Sequence, residues 1–245
     1  MTAIRVSGAA LLLFQAFFIF APMAILGAAI DWPASLDFAP DVALPLIHAN
    51  AEAVRLGYGL YLGWSLAFAA SAALIVALAR GPRPLDALSG LAIALGTVSA
   101  LARAIGIVRW LTGSLALASA HAQAPDGSAE RLAIETTQLA LNAYGGSIGE
   151  DLGVSLFASF WLMCVGAVIL KDKGLPAWLG WTAFPAAAIS SMPAWAMLGV
   201  EPPLDIIVST ASMLLWIAVV AIVLLFQTVR AKRPAVQDAL LEGTP

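Results

Sequence analysis

The sequence predicts an all-α fold, a polytopic membrane helix bundle with six transmembrane helices and two outer cap helices. Of its 245 residues, 61% are hydrophobic and only 11% are charged, against about 25% charged in a usual soluble domain. The mean hydropathy is +0.92. Apolar segments of about 20 residues, the length that crosses a bilayer, recur along the chain. They cover residues 6–30, 57–79, 85–110, 151–170, 178–200 and 204–229.

Two of the six segments allow a second interpretation. The first follows Arg5 and contains Gly-Ala-Ala at residues 27–29, so it has the outline of a cleaved signal peptide. Its apolar run of about 25 residues exceeds the 7–15 of a signal peptide, and we expect a retained helix. The fifth segment is interrupted by Pro185 and Pro193. We expect a kinked helix there, because neighbouring helices satisfy the backbone groups that a proline frees.

The charges between the segments predict the orientation. In the six-span arrangement one side collects most of the basic residues, which are Arg5, Arg80, Arg83, Lys171, Lys173, Arg230, Lys232 and Arg233. The other side is mostly acidic, with Arg55 and Arg131 as its clear basic residues. By the positive-inside rule both termini are cytoplasmic. After a transmembrane domain of residues 1–233, the polar residues 234–245 are predicted to form a disordered cytoplasmic tail.

The first outer connection, residues 31–56, is predicted to end in a helix that begins near Val42 and runs into the second span. His48, Glu52 and Arg55 stand at i, i+4 and i+7 on it and share one face. An exposed polar face with an ordinary ion pair is one interpretation of this pattern. A stripe that faces a ligand is the other.

The second outer connection, residues 111–150, contains an amphipathic helix from Ser128 that lies at the membrane interface or caps the bundle. Glu135, Gln138 and Asn142 fall at i, i+3 and i+7 on one face of it. The two helices, one in each outer connection, are the predicted outer cap of the bundle.

The end of this second cap helix is predicted from its glycines. Gly145 and Gly146 are expected to stop it. Ser147 and Glu150 then form a capping-box pattern that opens the fourth span. Asp151 adds a favourable negative charge at the positive end of that helix. Glu150 and Asp151 therefore have a structural interpretation as well as a functional one.

The third span carries a stripe of small and polar residues. Gly96, Ser99, Arg103, Gly106 and Trp110 are spaced by 3, 4, 3 and 4 residues, so they share one helix face. Small residues mark the face on which other helices approach. Arg103 lies seven residues from Trp110, about 10 Å deeper. Because a lipid-exposed arginine there costs about 2.5–3.5 kcal/mol, Arg103 is predicted to point into the bundle.

Two roles remain open for Arg103. It could pair with an outer carboxylate, the candidates being Glu52, Glu135, Glu150 and Asp151. It could instead receive an anionic or polar group of a ligand in a cavity. Arg109 lies on another face near the interface, where it is expected to anchor the helix at the headgroups, with ligand contact as the alternative.

Three stretches together resemble a known bacterial membrane family. They are RAIGIVRW at 103–110, ETTQLALNAYGG at 135–146 and LPAWLGW at 175–181. The chain resembles the family catalogued as domain of unknown function 4386, over nearly all of its length except the tail. This resemblance implies six spans and a multi-pass location in the bacterial inner (plasma) membrane. It implies no catalytic residue.

Composition argues against several function classes. The net charge of −3 and the lack of a basic face argue against nucleic-acid binding. The single cysteine, Cys164, excludes a disulfide within the chain. No cofactor is expected. The chain has two histidines, and His48 with Glu52 is a weak metal candidate that Glu135 or Glu150 would have to complete.

The leading functional hypothesis is a protein that binds a small polar or anionic molecule, or a lipid, in the outer half of the bundle. Carrier, sensor and accessory subunit are forms of it, with the lipid bilayer as its surroundings. An enzyme that acts on a lipid through outer carboxylates is one alternative, and a structural membrane subunit is another. The candidate ligand-binding residues are Arg103, Arg109, His48, Glu52, Arg55, Glu135, Gln138, Asn142, Glu150 and Asp151.

Overall fold

The computed structural model describes the backbone of residues 2–242 and the side chains of residues 6–228. This part of the chain is all-α, as predicted, and contains no strand. Its α-helices are α1 (Thr2–Phe17), α2 (Phe20–Ile30), α3 (Pro40–Ala49), α4 (Ala51–Arg80), α5 (Ala87–Leu111), α6 (Gly113–Gln123), α7 (Ala129–Gly146), α8 (Ala158–Asp172), α9 (Ala177–Ser191) and α10 (Ile206–Glu242). A π-helix spans Ser147–Phe157, and 3-10 helices span Ala34–Leu36 and Met192–Leu198.

Tryptophans form the centre of the core. The Trp161 ring of α8 makes edge contacts with Phe68 of α4 at 5.1 Å and with Trp216 of α10 at 6.2 Å between ring centroids. The Trp64 indole N–H donates to the Gln15 carbonyl at 2.8 Å, so α1 is tied to α4. These contacts place α1, α4, α8 and α10 around one apolar centre.

The two ends of the bundle are built differently, and we name them by their contents. At the turn end, residues 81–86 join α4 to α5 and residues 173–176 join α8 to α9. At the cap end lie α3 and α6, together with the last turns of α5 and the first turns of α4 and α10.

Both acidic residues of the turn end form ion pairs. Asp86 accepts a hydrogen bond from Lys171, and Asp172 pairs with Arg83 at 2.6 Å. Asp86 also caps α5, because its carboxylate accepts the Ser89 backbone N–H at 2.8 Å. The hydrogen bond from Lys171, with a smaller contribution from Ser89, holds the pKa of the Asp86 carboxyl well below its ordinary value of 3.8.

The first predicted span is interrupted in the structure. α1 ends at Phe17 and α2 begins at Phe20, within a stretch that is long and apolar enough to cross a membrane. Pro22 explains the break, because it has no N–H to offer to the carbonyl of Phe18, four residues earlier. The two halves then separate: α1 packs along α10, whereas α2 packs on α4.

The prediction of one continuous helix from Val42 into the second span is wrong. The helix breaks at Asn50, where φ is −117° and ψ is 27°. The Asn50 side chain donates to the Leu46 carbonyl at 3.0 Å, a local bond that competes with helix continuation. His48 therefore lies on α3, while Glu52 lies on α4.

The predicted helix stop at Gly145 and Gly146 is also wrong, as is the capping box of Ser147 and Glu150. α7 runs into the π-helix without a turn, and Ser147 has the helical dihedrals φ −58° and ψ −38°. Asp151 thus lies inside a helical run and not at a helix start. Within lipid an interrupted helix leaves backbone groups without partners, which favours continuation.

The glycines in this region serve close packing. A Cβ atom on Gly106 of α5 would lie 2.6 Å from the Gly149 Cα of the π-helix. A Cβ atom on Gly145 would lie 2.6 Å from Cδ of Arg109. The backbones approach because side chains are absent, and the same approach makes room for the arginine.

Among the described residues, five helical stretches are long and apolar enough to cross a membrane, which indicates a multi-pass membrane protein. They are Val6–Ile30, Ala51–Arg80, Ala87–Gln123, Ala129–Asp172 and Ile206–Thr228. The predicted span 178–200 is not among them, because α9 gives way at Met192 to a 3-10 helix containing Pro193. Six spans and cytoplasmic termini stay predictions. The tail at 234–245 was predicted to be disordered; the backbone of α10 runs as a helix through Glu242, and the side chains from residue 229 onward lie outside the described residues.

Candidate functional site

A cavity of about 150 Å³ lies at the cap end of the bundle. Residues of α2, α4, α5, the π-helix and α10 line it, together with the loop that follows α2. Most of its lining is apolar or aromatic. Its charged lining residues are Arg103, Arg109 and Glu150, all of which the sequence had marked as candidates.

Aromatic side chains form one wall of this cavity. Tyr58, Tyr61 and Ser65 project from one face of α4. The Tyr58 ring stacks on the Trp110 ring of α5 at 4.8 Å with only 7° between the ring planes. Trp32 contacts Tyr61 edge-on at 6.3 Å and extends the aromatic wall to the loop after α2.

Arg103 is buried at the cavity without a carboxylate. Its side chain lies in the bundle, as predicted, and the residue is only 2% exposed. Nε and Nη1 have no hydrogen-bond partner within the described residues, and Nη2 lies 3.9 Å from Sδ of Met213. The guanidinium carbon lies 4.3 Å from the centre of the Phe68 ring and 5.8 Å from that of Trp64. Cation–π contacts therefore take the place of the carboxylate pair, which was one of the two roles predicted for Arg103.

Arg109 has the carboxylate that Arg103 lacks. Nη2 of Arg109 donates to Oε1 of Glu150 at 3.2 Å, and the residue is 7% exposed. The expected role as a headgroup anchor is therefore wrong. Gly145 lies directly against the Arg109 side chain, so small residues allow its burial. Asp151 is half-buried on the π-helix and does not line the cavity.

The chain matches a known protein family. The family described as a domain of unknown function, DUF4386, matches residues 5–228. The chain belongs to this family. The resemblance seen in the sequence is thus confirmed. Comparison with curated proteins and with solved structures gave no match.

The first predicted stripe of this DUF4386 chain does not reach the cavity. His48, Glu52 and Arg55 are all exposed, and the break at Asn50 divides them between two helices. Their exposure agrees with the interpretation as a solvated polar face. Within the described residues, no group of three His, Cys, Asp or Glu side chains comes together to hold a metal ion.

The second predicted stripe holds the cap together. Gln138 is buried and donates from Nε2 to Oγ of Ser114 at 3.3 Å, so it joins α7 to α6. Asn142 donates to the Leu36 carbonyl at 3.3 Å. Glu135 lies 3.0 Å from Nε2 of His121. These three predicted residues therefore bind neighbouring elements and do not line the cavity.

Sequence reasoning missed two features of this site. The partner of Glu135 is His121, which the sequence analysis did not single out. The wall of Tyr58, Tyr61 and Ser65 was also missed, although the spacing of 3 and 4 residues is the pattern that marked Arg103 on α5. Applied to α4, the same test would have found this wall.

Proposed function

We propose that the cavity binds a small molecule or lipid through a single anionic group, a carboxylate, at Arg103. One observation carries this proposal: Arg103 is almost fully buried, lines the cavity and has no carboxylate partner among the described residues. A buried charge is costly unless it is paired. A bound anion would supply the missing partner.

The charges around the cavity favour a monoanion. Arg103 and Arg109 contribute two positive charges, and Glu150 contributes one negative charge that already pairs with Arg109. One positive charge is left over. The cation–π contact with Phe68 offsets part of the cost of burying the Arg103 charge. A desolvated contact of this kind contributes about 2 kcal/mol. A ligand carboxylate would add charge-assisted hydrogen bonds that an aromatic ring cannot offer.

The unpartnered polar atoms also fit an acceptor. Nε and Nη1 of Arg103, Nε of Arg109, the Tyr58 hydroxyl and the Ser65 hydroxyl have no hydrogen-bond partner in the described part of the chain. All five belong to side chains that line the cavity, and all five are able to donate. A carboxylate only accepts hydrogen bonds, so it complements this set.

The size of the cavity limits what enters it. A cavity of about 150 Å³ matches the size that holds benzene in an engineered protein core, whereas sites for drug-sized ligands span about 300–1,000 Å³. A carboxylate with a few carbon atoms fits this space. A larger amphiphile would leave part of its length outside.

The arrangement favours binding over catalysis. An enzyme acting through outer carboxylates would need one of them free to accept a proton. Glu150 pairs with Arg109, and Glu135 contacts His121 and lies 3.5 Å from Nε of Arg131. Glu52 and Asp151, the other two candidates, do not line the cavity. Carrier, sensor and accessory subunit are the functional forms that a binding cavity serves.

The proposal includes a topology. α9 with the 3-10 helix that follows would form the sixth crossing, so both termini would lie in the cytoplasm. The paired, basic turn end would then face the cytoplasm of a bacterial cell, and the cap end with its cavity would face outward. Lys171 and Arg83 at the turn end support this orientation.

Native mass spectrometry tests the proposal. The wild type, Arg103→Gln and Arg55→Gln would be purified in mild detergent, with Arg55 as the control because it is exposed and does not line the cavity. We expect an anionic small molecule on the wild type and on Arg55→Gln that is lost from folded Arg103→Gln. Retention of that ligand by Arg103→Gln would contradict the proposal. So would a wild type without any ligand whose Arg103→Gln variant is only less stable, a result that favours the structural subunit.

A further inference from the structure

After the break in the first span, α2 and α10 are separated on one side of the cavity, and we call this separation the gap. α1 packs along α10, but after the break α2 packs on α4 and, within the described residues, does not pack along α10. The residues facing this gap from α2 are Phe20 and Met23, and those from α10 are Ile206 and Ile207. All four line the cavity.

Two of these side chains are also exposed on the outer surface of the bundle. Phe20 is 61% exposed and Ile207 is 40% exposed. A side chain that both lines a cavity and is exposed outside stands at the cavity mouth. The surrounding surface is apolar as well, since Phe17 and Val208 are exposed. In a multi-pass membrane protein such a surface contacts acyl chains, so the mouth opens sideways into the bilayer.

The depth of the mouth agrees with this placement. Phe20 lies ten residues from Ile30, about 15 Å along a helix and near the middle of a hydrocarbon core about 30 Å thick. Ile207 is the second residue of α10 and lies close to the cap-end boundary. The mouth therefore extends from the membrane surface toward its middle.

We propose that this gap between α2 and α10 is a lateral portal through which a single-chain carboxylate amphiphile enters from the bilayer. Its carboxylate reaches Arg103, a few carbon atoms fill the cavity, and the rest of the acyl chain lies through the portal in the lipid. This inference rests on the proposed function and adds the class of ligand and its route.

The dimensions favour one acyl chain. A cavity of about 150 Å³ has no room for a phosphoglycerol headgroup together with the start of two chains. An acyl carboxylate needs only a narrow apolar channel that ends in donors. The portal supplies the apolar channel, and Arg103 with the Tyr58 and Ser65 hydroxyls supplies the donors.

Binding kinetics in lipid nanodiscs test the portal. The probes are radiolabelled dodecanoate and hexanoate, with the protein in phosphatidylcholine nanodiscs and empty nanodiscs as the blank. Ile207→Trp narrows the mouth. Leu215→Trp is the matched control, because Leu215 is 67% exposed on the same helix and does not line the cavity.

We expect Ile207→Trp to slow association and dissociation of dodecanoate by about tenfold, while Leu215→Trp behaves as the wild type. An unfolding temperature equal to that of the wild type would show that Ile207→Trp is folded. Phe20→Trp, on the opposite side of the mouth, should repeat the effect.

Three outcomes would overturn the inference. If Ile207→Trp and Phe20→Trp bind dodecanoate at the wild-type rate while Arg103→Gln loses it, the portal is wrong and the proposed function stands. If hexanoate binds through Arg103 and dodecanoate does not, the amphiphile is wrong and the proposed function again stands. If neither probe binds the wild type, both proposals fail.

Discussion

At the turn end of the bundle Asp86 pairs with Lys171 and Asp172 with Arg83, whereas at the cap end Arg103 is buried deeper than any of them and has no acidic partner in the described part of the chain. The turn end pairs both of its acidic residues with exposed basic ones. The cap end leaves one positive charge over, beside a cavity. The difference indicates that the turn end maintains the fold and that the cap end keeps a charge for a ligand.

The largest expected effect is the difference between one substitution at the cap end and one at the turn end, measured in ligand binding and in stability. Arg103→Gln should weaken hexanoate binding about 100-fold, the loss of about 3 kcal/mol from two charge-assisted hydrogen bonds. Its unfolding temperature without ligand should stay the same or rise, because an unpaired buried charge is removed. Equilibrium dialysis and thermal unfolding in detergent measure these two quantities.

Asp172→Asn at the turn end is the counterpart, because it leaves Arg83 without its acid. It should lower the unfolding temperature and leave hexanoate affinity unchanged. If Arg103→Gln destabilises the protein as Asp172→Asn does and both bind hexanoate equally, the distinction between the ends is wrong.

The second effect concerns the close approach of helices at the cap end. Gly106→Ala would place a Cβ atom 2.6 Å from the Gly149 Cα, so α5 and the π-helix must separate. We expect a loss of about 1–3 kcal/mol in the free energy of unfolding, as for other overpacked cores, together with weaker ligand binding.

Gly59→Ala is the matched control, because nothing lies within 4 Å of a Cβ atom at that helical position. It should raise stability by about 0.4–1 kcal/mol. Chemical denaturation measures both variants. Equal stability of Gly106→Ala and Gly59→Ala would argue against a tight contact between α5 and the π-helix.

A smaller effect on ligand affinity is expected from substitution of Glu150, the acidic residue that lines the cavity. Glu150→Gln removes a negative charge that repels an incoming carboxylate and frees Arg109, so hexanoate affinity should rise severalfold. Glu135→Gln, which alters a carboxylate that does not line the cavity, should leave it unchanged. Weaker binding by Glu150→Gln would mean that the acid contacts the ligand favourably, contrary to the charge balance proposed here.

The smallest effect concerns the pH dependence at the turn end. Because the pKa of Asp86 is lower in the folded chain than its ordinary value of 3.8, the ionised carboxylate stabilises the fold. That contribution is fully present above the unfolded-state pKa and is lost as pH falls through the folded-state pKa. The Asp86 side chain is 35% exposed and its pair with Lys171 lies at the surface, so Asp86→Asn should lower the unfolding temperature only slightly at pH 7. The difference between the variant and the wild type should shrink below about pH 3.8. A difference that grows on acidification would contradict this sign.

Helix periodicity predicted the part of the site that lies on one helix. The stripe from Gly96 to Trp110 on α5 is buried as expected, and it placed Arg103 in the bundle. α7 begins after Ser128 as expected, and the Ser128 side chain caps it by accepting the Arg131 N–H at 3.1 Å. These are local properties that spacing and capping chemistry determine.

Contacts between distant elements could not be predicted in this way. Arg109 and Glu150 are 41 residues apart, and spacing alone does not reveal that pair. Gly145 and Gly146 were interpreted as a helix stop because glycine commonly ends helices. Where another helix packs against them, the same glycines allow that helix to approach closely. Deciding between these uses requires knowing what lies opposite each glycine.

The most direct test of the central claim is a distance between the ligand carboxylate and Arg103. Solid-state NMR on the protein in lipid would measure dephasing between ¹³C-carboxyl hexanoate and ¹⁵N-guanidinium arginine. We expect a carbon–nitrogen distance of about 4 Å, as in a hydrogen-bonded arginine–carboxylate pair, lost in Arg103→Gln and kept in Arg55→Gln. Dephasing that persists in Arg103→Gln, or that is absent from the wild type at saturating hexanoate, would contradict the claim that Arg103 receives the anionic group.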